Sequence, residues 1–199
     1  MTLSLLLALS PVTVTVTEIP RNFLLTEHDA RRHLSPEEAA ELGYEISDKL
    51  TKPLELNPCV HRSSVDRDRV AARTISHWTS GPSGSSEQLV IYKSSRAAHA
   101  AFTLLRAEAK KCARKSIPSA PELKIQWRTS KTKVGSEAVG MGYQTRQDGS
   151  VNETISGLIA RKGRALMIYT TTEGEYEPGR VTEDAKKMAA KVCRLRGVC

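Results

Sequence analysis

Long apolar runs are missing: no stretch of the 199 residues approaches the ~20 consecutive apolar residues that a bilayer-spanning helix requires. Aromatic residues are scarce, at 5% of the chain, and none are interleaved with the Lys and Arg clusters in the way base stacking demands, so nucleic-acid binding is not expected. Of the four cysteines, none forms a C-x-x-C pair, and the five histidines show no zinc-type spacing relative to them, which argues against a metal site. Neither the G-x-S-x-G nucleophile elbow nor the phosphate-cradling G-x-x-x-x-G-K-[ST] loop occurs, so serine hydrolases and P-loop enzymes lose their signatures. His28 and His33 are five residues apart and fall on different faces of a helix, unlike the i, i+4 pair of a zinc protease. Cys59 and His61 are near neighbours in sequence, whereas catalytic thiol–imidazole pairs are assembled from distant segments. No cofactor is expected from any of these patterns.

What is present is a soluble-type composition. Hydrophobic residues make up 39%, too many for a disordered chain, and the length suits one domain with a single core. Thirty Lys and Arg against 22 Asp and Glu leave a formal charge of +8, which favours an anionic partner without naming one. The basic clusters around Lys110–Lys115 and Lys186–Arg196 fall at helix C-termini, where cations complement the helix dipole and form a solvated face. Residues 1–17 carry an apolar stretch, Leu3 to Leu9, of the kind found in export signals, but no basic residue precedes it. Those residues are read as a degenerate or truncated export segment, and 18–199 as one domain. Val12, Val14 and Val16 alternating with Thr13, Thr15 and Thr17 allow a first strand instead.

Along the chain, Ser35-Pro36-Glu37-Glu38 has the cap, first-turn proline and acids of a helix start, predicting a helix to about Leu42 with Gly43 as its stop. Residues 51–68 read mostly as loop. Strands are expected over 69–79 and 88–92, joined as a hairpin through Gly81-Pro82-Ser83-Gly84. Ser94 or Ser95 caps the strongest helix, with Ala98, Ala101, Phe102, Leu105, Ala109 and Cys112 along one apolar stripe. Leu123, Ile125 and Trp127 alternate with Lys124, Gln126 and Arg128 as in a strand with one wet face. Strands over 138–146, 151–160 and 165–171, separated by Asp148-Gly149 and Lys162-Gly163, form a meander. Thr182-Glu183-Asp184 starts a last helix, ending near Gly197. The fold class is α+β: an antiparallel sheet of five or six strands flanked by helices. No βαβ alternation is seen, so strand-to-helix phosphate loops are not expected.

An even number of cysteines without metal spacing fits two disulfides in an exported protein. Asn57-Pro58-Cys59, the segment Tyr92 to Cys112 with its Ala-rich helix, Trp127, Val134-Gly135-Ser136-Glu137-Ala138, Arg161-Lys162-Gly163 and the ending Val192 to Cys199 together carry a resemblance. In order and spacing, over roughly Ile19 to Cys199, the chain resembles the extracellular sensor domains of mycobacterial PknH-type kinases and their free-standing actinobacterial relatives. The resemblance implies a sheet flanked by helices, an extracellular or cell-surface location, and a cleft for an unknown small-molecule or envelope ligand. It also implies bridges joining Cys59 to Cys112 and Cys193 to Cys199. The resulting expectation is a secreted sensor-type binding module, not a catalyst, with Trp78, Trp127, Arg128, Tyr143 and Tyr169 as candidate ligand contacts, because aromatic and Arg side chains often anchor ligands. The competing expectation is an envelope hydrolase or transferase whose acids or bases converge only in the fold.

Overall fold

The structure is a computed structural model that describes residues 16–30, 35, 41–59, 64–80, 83–117, 120–172 and 178–199. Residues 1–15 and most of the expected helix after Ser35 lie outside the described residues. Eight strands form one sheet in the order β1-β2-β3-β8-β7-β6-β5-β4. They are β1 (Leu42–Ser47), β2 (Arg69–Thr79), β3 (Gly84–Tyr92), β4 (Arg114–Ile117), β5 (Ala120–Lys131), β6 (Glu137–Gln147), β7 (Ser150–Lys162) and β8 (Ala165–Thr172). Every neighbouring pair is antiparallel. The sheet therefore exceeds the five or six strands expected from the sequence. The additions are its two edges: Leu42 and Gly43 begin β1 rather than ending a helix, and β4 occupies a segment that reads as a basic helix end and a loop.

Two long helices pack on opposite faces. Helix α1 (Ser95–Lys111) links β3 to β4, starting where the Ser94 hydroxyl accepts the Ala97 amide at 3.1 Å. Its buried stripe, Ala98, Ala101, Phe102, Leu105 and Ala109, lies against Val90, Tyr92, Ile159, Leu166 and Ile168 of the sheet. Helix α2 (Pro178–Lys191) follows β8 and begins four residues before Thr182, with a proline in its first turn where no amide hydrogen is needed. Val181, Ala185, Met188 and Ala189 of α2 bury against the other face, with Ala160, Ala165 and Met167. Alternation along the central strands feeds both cores at once: Leu89 and Ile91 serve the α2 side, Val90 and Tyr92 the α1 side. Each such side chain contributes about 1.5–3 kcal/mol by leaving water.

The turns obey local chemistry. Asp148 (φ 50°) and Gly149 (φ 84°) make the two-residue connection from β6 to β7. Gly163 (φ 56°) sits in the β7–β8 turn, where a Cβ would lie 2.0 Å from the Val198 carbonyl oxygen. The C-terminus docks on this turn, with the Arg164 amide donating to the Val198 oxygen at 2.8 Å and Arg164 Nη1 to the Gly197 oxygen at 3.0 Å. Cys193 and Cys199 close the adjacent short loop, with Cα atoms 5.1 Å apart.

The N-terminal arm crosses the α2 face with Ile19, Phe23 and Leu24 buried. Two buried carboxylates hold it. Glu27 is bound by Arg73 of β2 through Nε at 2.9 Å and Nη2 at 2.5 Å, and Arg73 Nη1 also reaches Asp48 at 2.5 Å. Glu87 of β3 accepts the Thr26 amide at 2.9 Å, the Thr26 hydroxyl at 3.0 Å and the Tyr169 hydroxyl at 2.9 Å. Burial pushes the Glu87 pKa above its usual value of 4.5, against the lowering effect of these donors. The folded state thus holds this proton more tightly than the unfolded chain does. Its contribution to stability is full below about pH 4.5 and is lost as pH rises through the raised folded value. The substitution Glu87→Gln is expected to flatten that decline, measured as denaturant midpoints from pH 4 upward; an unchanged pH profile would exclude Glu87 as its source.

Candidate functional site

On both faces the helices and the N-terminal arm cover the central strands and leave part of the β5–β6 pair open. A cleft lies on each side, and each has a volume of about 780 Å³, within the usual range of ligand pockets.

The cleft on the α1 face has loop 48–57 as its wall and β5–β6 as its floor. This loop has no regular hydrogen-bonding ladder, so its polar backbone needs other partners. Gln88 of β3 supplies two: its Nε2 donates to the Pro53 oxygen at 3.0 Å, and its Oε1 accepts the Glu55 amide at 3.1 Å. The same Nε2 donates to Thr74 Oγ1 at 3.0 Å. Arg69 supplies two more, its Nη1 donating to the Leu50 oxygen at 3.2 Å and the Lys52 oxygen at 2.7 Å, while Nη2 pairs with Asp66. Leu54 and Leu56 are buried in the α1-side core. Just beyond the loop, Cys59 is bonded to Cys112 at the end of α1, with Cα atoms 5.6 Å apart. Polar clamps, apolar plugs and a covalent link therefore preset one loop conformation before any ligand arrives.

Trp127 of β5 and Tyr143 of β6 are cross-strand partners on the floor, their rings 4.9 Å apart and tilted by 51°. Ile125 extends this surface, and Leu50, Pro53 and Leu54 face it from the loop. Charge borders the apolar patch: Lys52 lies 3.7 Å from Glu55, and Arg67, Arg69 and Asp66 complete the rim. Burial raises the Glu55 pKa, partly offset by Lys52. Burial also raises that of Tyr143, reinforced by the Glu153 and Glu55 carboxylates. Beneath the rim, burial pushes the Tyr92 phenol up to about 12. The neighbouring Arg69 guanidinium partly offsets this rise.

The five candidate contacts read from the sequence do not share one site. Trp127 and Tyr143 come together in the α1-face cleft. Arg128 lines the cleft on the opposite face, as the two-residue period of β5 requires. Tyr169 is buried under the N-terminal arm with its hydroxyl on Glu87. Trp78 is exposed at the β1–β2 edge, its ring over Gly43, where a Cβ would meet the indole at 2.2 Å. Loop residues Lys52, Leu54 and Glu55 and the clamps Gln88 and Arg69 were not foreseen. A loop of mixed polarity gives no periodic signal, and the Gln88 contacts span 33 and 35 residues. Among the described residues no group of three or more His, Cys, Asp or Glu is placed to hold a metal ion, and no helix is long and apolar enough to cross a membrane.

No family model matches the chain, and no curated protein sequence matches it. Among solved structures it is similar to the crystal structure of the extracellular domain of PknH from Mycobacterium tuberculosis, with a TM-score of 0.53 at 9% identity, covering 86% of this chain and 91% of that one. At this identity the likeness is one of fold.

Removing the loop tether tests how the cleft is built. By the loop-entropy account, replacing Cys59 and Cys112 with Ser costs about 4 kcal/mol, against about 2 kcal/mol for Cys193 and Cys199. Only the first pair is expected to speed amide exchange at Leu54, Glu55 and Leu56. Unchanged protection there would show that the bridge does not set the loop.

Proposed function

We propose that this chain is an extracellular or cell-surface binding module of sensor type, which takes a small amphipathic acid in the cleft between loop 48–57 and β5–β6. The observation that carries this reading is the preset apolar floor, Trp127, Tyr143 and Ile125, bordered on the loop side by charged side chains. The aromatic floor removes an apolar body from water, and at the rim, where Lys52 is paired with Glu55 and Arg69 with Asp66, the exposed Arg67 favours an acidic head. The chain's +8 charge works in the same direction at long range.

Location and role draw on different support. The fold likeness to an extracellular domain and the two disulfides favour the oxidising side of a membrane. The raised carboxyl of Glu55 and the half-buried Tyr143 line the cleft. The clamped loop and apolar floor favour binding over the envelope hydrolase or transferase reading.

Dodecanoate is a suitable probe. The chain has two tryptophans, so in a Trp78→Phe background the emission reports Trp127 alone. The expected result is a saturable emission change with dodecanoate, weakened about tenfold by Ile125→Gln, which puts a polar group on the apolar floor. Dodecyltrimethylammonium at the same concentrations is expected to bind far more weakly. Equal response to the cationic amphiphile, or no saturable change with dodecanoate, would overturn the reading.

A further inference from the structure

The cleft on the α2 face has a different chemistry. Strand alternation puts Arg128 and Ser130 of β5, Gly140, Gly142 and Gln144 of β6, and Thr154 and Ser156 of β7 on this one face. Helix α2 packs on β7 and β8, so its first turns, at Val181 and Thr182, wall the cleft from one side and leave β5 and β6 uncovered. Where a helix-covered sheet would present Val, Ile or Leu, this face presents hydroxyls, an amide and glycine.

The floor depends on the two glycines. A Cβ at Gly140 would stand 2.2 Å from Ser130 Oγ, and one at Gly142 would stand 2.3 Å from the Ile155 carbonyl oxygen. Any side chain at either position would shift the sheet or fill the hollow.

Two features specify what could fill it. First, Arg128 lines the cleft, is exposed, and makes no ion pair or hydrogen bond within the described structure. The described lining residues include no carboxylate. Second, the Gln144 amide is half-satisfied: its Nε2 reaches Thr154 Oγ1 at 3.4 Å, while its Oε1 is buried without a partner. An unpaired guanidinium calls for an anion, and an orphan acceptor beside Ser and Thr hydroxyls calls for hydroxyl donors.

We propose that this α2-face cleft is a second binding site, separate from the aromatic cleft and independent of it, for a free anionic polyol: a small hydroxyl-rich molecule carrying a phosphate or carboxylate. The anion pairs with Arg128, and a ligand hydroxyl donates to Gln144 Oε1. The ligand is a free molecule, not a lipid headgroup, because none of the exposed large apolar side chains, Leu42, Tyr44, Leu50, Trp78 and Val151, lines this cleft to enter a bilayer.

Amide chemical-shift titration of the full chain with glucose 6-phosphate tests this, with glucose and inorganic phosphate as separate arms. Saturable shifts are expected at Gly140, Gly142 and Ser156, with the sugar phosphate binding more tightly than either fragment. Arg128→Gln is expected to weaken it by about tenfold, and added salt to weaken it further. The Ile125→Gln variant, altered only in the opposite cleft, is expected to bind glucose 6-phosphate as the parent does, so this site and the aromatic one fail separately. Absent shifts at the glycines, glucose or phosphate alone matching the sugar phosphate, or indifference to Arg128→Gln would each overturn the proposal. Co-sedimentation of the protein with phosphatidylinositol vesicles in place of glucose 6-phosphate binding would overturn it too.

Discussion

The antiparallel pairing of β3 with β8 is the contact on which the rest of the molecule depends. It joins a three-stranded unit, β1 to β3, to a five-stranded one, β4 to β8, across a gap in sequence that holds all of α1. Leu89 to Tyr92 and Ala165 to Ile168 are each at most 1% exposed, with alternate side chains in opposite cores. Neither face can lose its cover without exposing the seam, so both helices are held by the same strands. Apolar burial on this scale tolerates a few polar residues inside it, provided each is hydrogen-bonded.

Two such residues sit next to each other. Glu87 and Gln88 are consecutive on β3 and therefore face opposite sides of the sheet. Glu87 gathers Thr26 and Tyr169 and holds the N-terminal arm on the α2 side, while Gln88 gathers Pro53, Glu55 and Thr74 and holds loop 48–57 on the α1 side. In each case a segment without secondary structure is fixed by a polar group anchored in the most rigid part of the fold. Arg69 and Arg73 of the neighbouring strand repeat the device, clamping the loop and the arm respectively. The aromatic cleft inherits its shape from this arrangement, so its floor and wall need not be ordered by a ligand, and less affinity is lost to ordering on binding.

The regular part of this architecture was legible in the sequence because it is periodic. The α1 stripe and its Ser94 cap, the β6–β8 meander with Asp148-Gly149 and Gly163 at its turns, and the alternation through Ile125 and Trp127 all follow from spacings of two or 3.6 residues. The edges were not. Leu42, Tyr44 and Ile46 do alternate with Gly43, Glu45 and Ser47, but Gly43 also suits a helix stop, and only pairing with β2 decides between them. The Arg114-Lys115-Ser116-Ile117 run of β4 carries the basic character of a helix C-terminus and becomes a strand by pairing with β5. The same period of two assigns Trp127 and Arg128 to different faces, so residues adjacent in sequence, grouped as one set of candidates, belong to different clefts. What the sequence could not supply were the long-range clamps, because a buried Gln on a strand looks like any polar residue until its partners arrive from elsewhere in the chain.

The central claim is that a clamped loop and an aromatic strand pair form a ready ligand site on the α1 face. Amide chemical-shift mapping of the wild-type protein with dodecanoate tests it most directly. The account predicts shifts concentrated at Leu54, Glu55, Ile125 and Tyr143, with the β3–β8 seam unperturbed. Shifts confined to the exposed apolar residues of the β1–β2 edge, Leu42, Tyr44 and Trp78, would contradict it.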